Sequence, residues 1–269
     1  MRVVVHLSDL HFGRVDESLL QPLIEQVGAI APDVVVVSGD LTQRARRAQF
    51  LQARKFLDAL PKPQVVVPGN HDVPLYNIVA RFLSPLDKYR RYISDELEPT
   101  FVDDRIAVVG LNSARSLTIK NGRLNRAQLE RVRARLAPLP EYLTKIVVTH
   151  HPLDLPSATG DEDLVGRALM AMEAFAACGV DILLAGHAHI GAARSTAERY
   201  RTLDRAALVV NAGTATSTRG RGQANSFNVI RIDEPDVTVE CWVWKQDCAA
   251  FAAGTPERFT RAEGGWRAS

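Results

Sequence analysis

Seven short apolar runs, rich in valine and isoleucine, are spread along the 269-residue chain and constrain its fold more than any other feature. They are Val3–Val5, Val34–Val37, Val65–Val67, Ile106–Leu111, Ile146–Val148, Ile182–Leu184 and Leu208–Val210. Continuous runs of this length, without polar alternation, are typical of strands that are buried on both faces of a covered sheet. The chain is therefore predicted to belong to the α/β class.

Segments with helical periodicity separate these runs. Four of them place apolar residues on one helical face, and they span residues 19–30, 50–60, 129–136 and 164–175. Asn125 and Gln128 have the pattern of a capping pair ahead of the third segment. All four are predicted to be helices that face the core.

The domain organisation is predicted from the remaining segments. Residues 73–100 contain regularly spaced apolar and aromatic residues and are predicted to form a helical cap inserted into the domain. Residues 227–244 are predicted to be two antiparallel strands, joined by a turn at Pro235 and Asp236. With no repeat and no low-complexity linker, residues 1–269 are predicted to be a single domain.

Carboxylates, amides and imidazoles follow the apolar runs where the strands are predicted to end. They are Asp9, His11, Asp40, Asn70, His71, Asp72, Asn112, His150, His151, His187 and His189. In α/β sheets, sites lie beyond the carboxyl ends of the strands. One such residue alone is usually a turn or cap residue, but five separate segments that each supply metal-type ligands indicate a metal site.

The composition of this ligand set constrains its chemistry. Two of these aspartates, one asparagine and four of the histidines make seven groups, which are too many for a single ion that keeps an open position but suit two ions if one carboxylate bridges. No thiolate takes part, which disfavours a structural zinc site. Oxygen and imidazole ligands suit Mn, Fe, Zn or Ni, and two such ions roughly 3.5–4 Å apart are suited to phosphoryl transfer.

The motifs D-x-H, G-D, G-N-H-[DE], H and G-H-x-H occur in this order between residues 9 and 189. In this they resemble the calcineurin-like metallophosphoesterase superfamily. The resemblance implies a four-layer α/β/β/α sandwich of two mixed sheets flanked by helices, with a dinuclear metal site at the carboxyl ends of the strands. It also implies a hydrolase in which a metal-bridging hydroxide attacks phosphorus in line.

The same resemblance implies a role for each motif residue. The first ion would be held by Asp9, His11, Asp40 and His189, and the second by Asp40, Asn70, His150 and His187. His151 is the weaker candidate of its pair, because the family's ligand stands two residues before the proline. His71 matches the histidine that steadies a phosphate oxygen or protonates the leaving group, and Asp72 would orient the His71 ring.

The substrate class is narrowed by the same motifs. Protein Ser/Thr phosphatases carry a longer G-D-x-V-D-R-G block than Gly39–Thr42, and repair exonucleases add domains that this length scarcely accommodates. The chain looks most similar to small bacterial phosphodiesterases, which include class III cyclic nucleotide phosphodiesterases and glycerophosphodiesterases. A phosphodiesterase is expected. The alternatives are a UDP-linked lipid-precursor pyrophosphatase, for which the cap would offer an apolar groove, a broad-specificity phosphomonoesterase, and a non-catalytic metal-free scaffold.

Several polar residues near the motifs are candidates for contact with a small phosphoester substrate. They are Arg44, Asn112 and Arg115. The segment 213–228, which contains Arg219 and Arg221, follows a strand and could form a loop over the rim of the site, or a loop without a role.

Composition limits the partners and the compartment. The formal net charge is +2, with 33 basic and 31 acidic residues, which argues against a protein that binds nucleic acid stably. The sequence shows no signal-peptide core and no apolar stretch near 18 residues, so a cytoplasmic protein without a membrane span is expected. None of the three cysteines forms a CxxC pair, which fits a reducing compartment. The composition allows a homo-oligomer.

Overall fold

A computed structural model, which describes residues 1–117, 120–156, 163–219 and 222–269, contains two β-sheets that pack face to face. The strands are β1 Arg2–Leu7, β2 Val34–Ser38, β3 Gln64–Val67, β4 Thr100–Val102, β5 Ile106–Gly110, β6 Thr144–Val148, β7 Ile182–Ala185, β8 Ala192–Ser195, β9 Leu208–Asn211, β10 Ser226–Asp233, β11 Asp236–Lys245, β12 Ala250–Ala253, β13 Glu257–Ala262 and β14 Gly265–Ala268. The helices are α1 Leu20–Ile30, α2 Arg47–Ala59, α3 Ile78–Leu83, α4 Asp87–Tyr92, α5 Arg126–Leu136 and α6 Ala168–Ala177.

Both sheets are mixed. In the first sheet β1, β2 and β3 run parallel, β10 pairs antiparallel with β1, and the order continues through β11 and β13 to β14, with β12 also pairing with β11. In the second sheet β5, β6, β7 and β9 run parallel, and β4 and β8 close its two edges as antiparallel strands. Parallel strands end at one common edge, which brings their following loops together.

The valine runs are buried on both faces, as predicted, because each strand faces the other sheet on one side and helices on the other. In β1, Val4 packs into the layer between the sheets, while Val3 and Val5 pack towards α1 and α2. The same alternation in β5 directs Val108 to the inner layer and Val109 towards α5 and α6. The predicted α/β/β/α sandwich is confirmed.

The predicted helices are present, with one correction. The capping pair of α5 is confirmed: Asn125 Oδ1 accepts from the Gln128 backbone N at 2.9 Å, and Gln128 Oε1 accepts from the Asn125 backbone N at 3.2 Å. The last helix begins at Ala168 and not near residue 164. Its expected first turn is extended instead, because the backbone N of Val165 bonds to Pro152 O and that of Gly166 to Gly122 O.

Residues 73–100 contain the two short helices α3 and α4. The buried Tyr89 anchors α4, and its hydroxyl donates to Val66 O of β3 at 2.9 Å. At the end of the chain β10 and β11 form the antiparallel pair, and β12 to β14 extend the first sheet beyond the two strands that the sequence indicates. Among the described residues, no helix combines the length and apolarity needed to cross a bilayer.

Candidate metal centre

The loops that follow five parallel strands, three from the first sheet and two from the second, converge at one edge of the sandwich. They carry Asp9 and His11 after β1, Asp40 after β2, Asn70 after β3, His150 after β6, and His187 and His189 after β7. The valine runs thus position side chains that are far apart in sequence, since each strand delivers its loop to the same edge.

Two buried carboxylates lie at the middle of this cluster. Asp9 Oδ1 is 3.4 Å from His11 Nε2 and 3.1 Å from His189 Nε2. Asp40 Oδ2 is 3.7 Å from His11 Nε2 and 3.4 Å from His150 Nε2. Ligand atoms of Asp9, His11 and His189 all lie within 4.8 Å of one another, and so do those of Asp9, Asp40 and His150. Asp40 therefore stands between two groups of histidines.

Asn70 and His187 lie beside His150 in the cluster. The Asn70 side-chain oxygen is 3.1 Å from His150 Nε2. The His187 ring centroid lies 5.1 Å from that of His150, and the His187 backbone N donates to Asp9 Oδ2 at 3.0 Å. Amide oxygen, carboxylate oxygen and imidazole nitrogen thus meet in one buried volume.

Buried atoms without hydrogen bonds test whether this cluster fits a metal. Asp9 Oδ1, His11 Nε2 and His187 Nε2 are buried and make no hydrogen bond among the described residues. Buried polar atoms are nearly always hydrogen-bonded, and those that are not need an explanation such as an ion. Carboxylate, amide and imidazole donors are ligands that divalent transition ions accept. The residues present fit a divalent metal centre.

Neighbouring groups fix the orientation of the cluster residues. His150 Nδ1 lies 2.8 Å from Ser38 O, to which it donates, so Nε2 is directed into the cluster. The Ser8 hydroxyl donates to Asp9 Oδ2 at 2.7 Å, which leaves Oδ1 for the histidines.

The backbone of the cluster is strained. Positive φ angles occur at Asp9 (55°), His11 (51°), Asp40 (51°), His187 (66°) and His189 (59°). Residues other than glycine rarely adopt this conformation, which costs about 1–3 kcal/mol each and persists where the surrounding structure imposes it. Such outliers are concentrated at functional sites.

Charge interactions within the cluster outweigh the effect of burial on the pKa values of its residues. Burial raises the pKa of Asp9, but His189 and His11 outweigh it and hold this pKa well below its usual range. Burial lowers the pKa of His150, but the Asp40 carboxylate outweighs it and raises this pKa to about 9. A cation, whether a proton or a metal ion, is therefore favoured beside these two carboxylates.

His71 lies beside the cluster and is held by residues that sequence reasoning did not pair with it. Its backbone N donates to Asp40 Oδ1 at 2.8 Å, and its Nδ1 lies 2.9 Å from Gln43 O, to which it donates. Nε2 is thus left to accept from Arg219 Nη1 at 3.0 Å. Burial is the main cause of the lowered pKa of His71, and Arg219 adds to it.

Asp72 does not orient the His71 ring, contrary to expectation. Its carboxylate accepts from the backbone N of Gly69 at 2.9 Å, Leu41 at 3.1 Å and Thr42 at 2.8 Å. These bonds tie the loop after β2 to the loop after β3. Burial and the nearby Asp40 raise the pKa of Asp72 to about 6.

His151 is next to a cluster histidine but is engaged elsewhere. Its Nδ1 is 2.8 Å from Ser113 Oγ, and its Nε2 is 2.8 Å from Lys120 O. Burial lowers the pKa of His151 well below its usual value. Its ring lies 4.6 Å from that of His187, and ligand atoms of His150, His151 and His187 lie within 4.8 Å of one another, but both His151 nitrogens already have hydrogen-bond partners.

The three substrate-contact candidates each contact residues outside the cluster. The Arg44 guanidinium lies 5.7 Å over the ring of Tyr76. Asn112 Oδ1 accepts from the Ala114 backbone N at 3.0 Å, as in a tight turn. Arg115 donates to Gln128 Oε1 and, at 3.3 Å, to Asn112 O. Arg221 lies outside the described residues.

Residues 2–191 match the family model of the calcineurin-like phosphoesterases. The chain belongs to this family. Calcineurin-like phosphoesterases use divalent metal ions, which agrees with the donor set described above.

Two curated relatives of this chain are bacterial proteins. Glycerophosphodiester phosphodiesterase GpdQ of Enterobacter lignolyticus is 33% identical over an alignment of 81 residues, and the match covers 26% of this chain and 29% of the relative. The 3',5'-cyclic adenosine monophosphate phosphodiesterase CpdA of Escherichia coli is 27% identical over an alignment of 167 residues, and the match covers 56% of this chain and 55% of the relative. The chain thus matches about half the length of these relatives or less.

A solved structure shows the same fold. Purple acid phosphatase PPD1 from yellow lupin seeds superposes with a TM-score of 0.72 and 13% sequence identity, over 97% of this chain and 54% of that one. At this identity the likeness concerns the fold alone.

The motif residue His71 is contacted by Arg219, which lies outside residues 2–191, the region that matches the family model. Arg219 lies on the loop between β9 and β10, and this loop is bonded to the loop after β1. The backbone N of Ala215 donates to Ser8 O at 3.0 Å, and Thr216 Oγ1 donates to Leu10 O at 2.9 Å. The loop is therefore held in place, and so is the arginine that it carries to His71.

Proposed function

We propose that the protein is a dinuclear-metal-dependent phosphodiesterase acting on a small phosphodiester. The observation that carries this proposal is the position of Asp40, whose carboxylate lies between two groups of buried donors. We assign Asp9, His11, Asp40 and His189 to one ion and Asp40, Asn70, His150 and His187 to the other. Mn, Fe and Zn suit these ligands.

When bound, the two ions supply Lewis acidity towards the phosphoryl oxygens and a hydroxide nucleophile at neutral pH. The residues of this chain supply positioning and proton control. His150 is held with Nε2 towards the cluster by Ser38 O, and Asp9 is held by Ser8 and the backbone of His187.

His71 and Arg219 would act on the leaving-group side of the substrate. The Arg219 guanidinium is half-buried, and no carboxylate among the described residues lies within ion-pair distance of it, so an entering phosphoryl oxygen is a suitable acceptor. The lowered pKa favours a neutral His71 ring, whose one proton is on Nδ1. When Arg219 turns to that oxygen, the freed Nε2 would first take up a proton from solvent and then pass it to the leaving alkoxide. Gln43 O keeps the ring in place throughout.

The relatives support a diester over a monoester as the substrate class. Arg219 contacts His71 beside the centre, whereas Arg44 contacts Tyr76 and Arg115 contacts Gln128. The names of the two bacterial relatives, a glycerophosphodiesterase and a cyclic nucleotide phosphodiesterase, support the same class.

An assay panel with Mn²⁺ tests the proposal. It compares bis-p-nitrophenyl phosphate, p-nitrophenyl phosphate, cyclic AMP, a glycerophosphodiester and a UDP-linked lipid precursor. Diester turnover well above monoester turnover is expected. Monoester turnover far above diester turnover, or preference for the UDP-linked precursor, contradicts the diester assignment.

Elemental analysis tests the metal assignment separately. About two transition ions per chain are expected for the metal-replete protein. Asp40→Asn should lose bound metal and activity together, while Asp58→Asn, which changes a half-exposed aspartate paired with Arg54 on α2, should lose neither. If protein prepared under metal-replete conditions contains no bound ions, the result would favour the scaffold alternative.

The compartment is a further part of the proposal. The three cysteines, Cys178, Cys241 and Cys248, are free thiols, which supports the cytoplasmic location expected from the sequence.

A further inference from the structure

Helix α3 turns its apolar side to solvent. Its side chains Ile78, Val79, Phe82 and Leu83 are 68%, 67%, 52% and 81% exposed. At about 100° per residue these four positions fall within about 140° of the helix circumference, so they form one continuous face. A surface helix normally directs such a face to the core.

The single charged residue of α3 points the other way. Arg81 is buried, its Nε donates to Ser116 O at 2.7 Å, and its Nη1 donates to Pro74 O at 3.0 Å. These bonds pair the buried guanidinium with two carbonyls, and breaking them would be costly. The outward direction of the apolar face is therefore imposed by the inward direction of Arg81.

Two further residues extend this surface. Tyr76, which is 74% exposed, lies two residues before α3, and its ring is steadied by the Arg44 guanidinium at 5.7 Å. Leu117, 85% exposed, adjoins the helix because Ser116 is bonded to Arg81. We call the surface the α3 face; it consists of Tyr76, Ile78, Val79, Phe82, Leu83 and Leu117.

The size of the α3 face is that of an interface. At the exposed fractions given above, its side chains present about 800 Å² of surface, whereas the largest patch of a typical monomer covers about 300–600 Å². About 800 Å² is also the area that each partner contributes to a standard protein–protein interface.

We propose that the α3 face binds the α3 face of a second copy of this chain, in a two-fold symmetric dimer. Such an interface presents each patch to itself, so it must be free of like-charge repulsion. None of the six side chains carries a charge, which meets this condition. Tyrosine and phenylalanine are also enriched in interface cores.

A lipid surface fits the α3 face less well than a second copy does. Helices that lie on membranes are longer than six residues and carry outward lysines or arginines that meet anionic lipid. Here the one cation of the helix is turned inward, where it bonds to Ser116 O and Pro74 O. The inference concerns assembly and does not depend on the proposed activity.

Analytical ultracentrifugation of the full chain tests the dimer. The wild-type protein should sediment with twice the chain mass at micromolar concentrations. Leu83→Asp should weaken dimerisation by at least ~100-fold, because each copy then brings an unpaired charge into the apolar interface. Leu169→Asp changes a leucine on α6 that is 53% exposed and lies outside the α3 face, and it should leave the dimer intact.

A mixing experiment separates loss of the interface from misfolding. Leu83→Asp and Leu83→Lys should each be monomeric, and an equimolar mixture should regain dimers, since opposite charges then face each other. A monomeric wild type, dimers that persist in Leu83→Asp, or a mixture that stays monomeric would overturn the proposal. Flotation of the wild-type monomer with phosphatidylglycerol vesicles would assign the α3 face to a membrane instead.

Discussion

Replacing Gly186 by alanine should weaken metal binding and destabilise the protein, because the site leaves no room for a Cβ there. A Cβ at residue 186 would lie 1.8 Å from Ser8 Oγ, 2.7 Å from Asp9 Oδ2 and 2.8 Å from Ser8 Cβ. Rotation of the Ser8 side chain would relieve the first contact but neither of the other two. The loop before His187 would therefore have to move away from the loop that carries Asp9.

The size of the expected loss in the free energy of unfolding follows from the interactions that each movement breaks. Rotating Ser8 removes its 2.7 Å hydrogen bond to the Asp9 carboxylate, and bonds to charged groups contribute about 1.5–3 kcal/mol. The remaining overlap resembles overpacking, which costs about 1–3 kcal/mol. A loss of about 3 kcal/mol should lower the melting temperature by roughly 5–10 °C. Loss of a group that orients a ligand typically weakens metal affinity about 10–100-fold.

Calorimetric metal titration and thermal unfolding of the metal-free protein measure the two effects. Gly28→Ala is the matched control, because nothing lies within 4 Å of a Cβ at this position inside α1. There the same substitution should raise the free energy of unfolding by about 0.5–1 kcal/mol, since alanine is the better helix former.

A double variant identifies the cause. Ser8→Ala removes the hydroxyl that a Cβ at residue 186 would strike, so Ser8→Ala with Gly186→Ala should cost less than the sum of the two single changes. Wild-type metal affinity and melting temperature in Gly186→Ala, or strict additivity in the double variant, would refute the reasoning.

Three further predictions concern the cluster and its neighbours. Arg219→Ala should keep both metal ions but lower kcat about 10–100-fold, with partial recovery in Arg219→Lys, because a bond to a charged group is lost; unchanged turnover contradicts the role given to Arg219. Since the pKa of His150 in the metal-free protein is raised to about 9, this ring is protonated at pH 7, so metal loading should release about one proton at pH 7 and progressively less as the pH rises through 9; equal binding heats in buffers of different ionisation enthalpy would contradict this. His151→Ala should lower the free energy of unfolding by about 2–3 kcal/mol and leave the metal content unchanged, whereas His150→Ala should lose an ion, as elemental analysis would show.

The strands and the convergence of the candidate ligands could be predicted because both depend on local patterns. A run such as Val34–Val37 has one interpretation, a strand buried on both faces, and the residues that follow it must lie at the edge of the sheet. The order of the motifs then indicated a two-metal phosphoesterase. The four layers of the sandwich were implied by the family resemblance, since the runs alone indicate only a sheet that is covered on both faces.

What could not be predicted depends on contacts between loops. Arg219 and His71 are 148 positions apart, and no periodicity relates them. The role of Asp72 was misjudged because its neighbour His71 suggested a side-chain partner, whereas its carboxylate serves three backbone N–H groups. The exposure of the α3 face could not be predicted either, because apolar spacing indicates a helix but not whether its apolar side faces the core or the solvent. Only the burial of Arg81 decides that.

The candidate ligands come from both sheets, and this has a consequence for the order of folding. Asp9 and Asp40 stand on loops of the first sheet, while His150 and His187 stand on loops of the second. A high-affinity site therefore exists only after the two halves have docked, so ions should be taken up in the last step of folding. In stopped-flow refolding, the rate of metal uptake would then report how fast the halves of the sandwich come together, and chelators should leave the earlier phases unchanged.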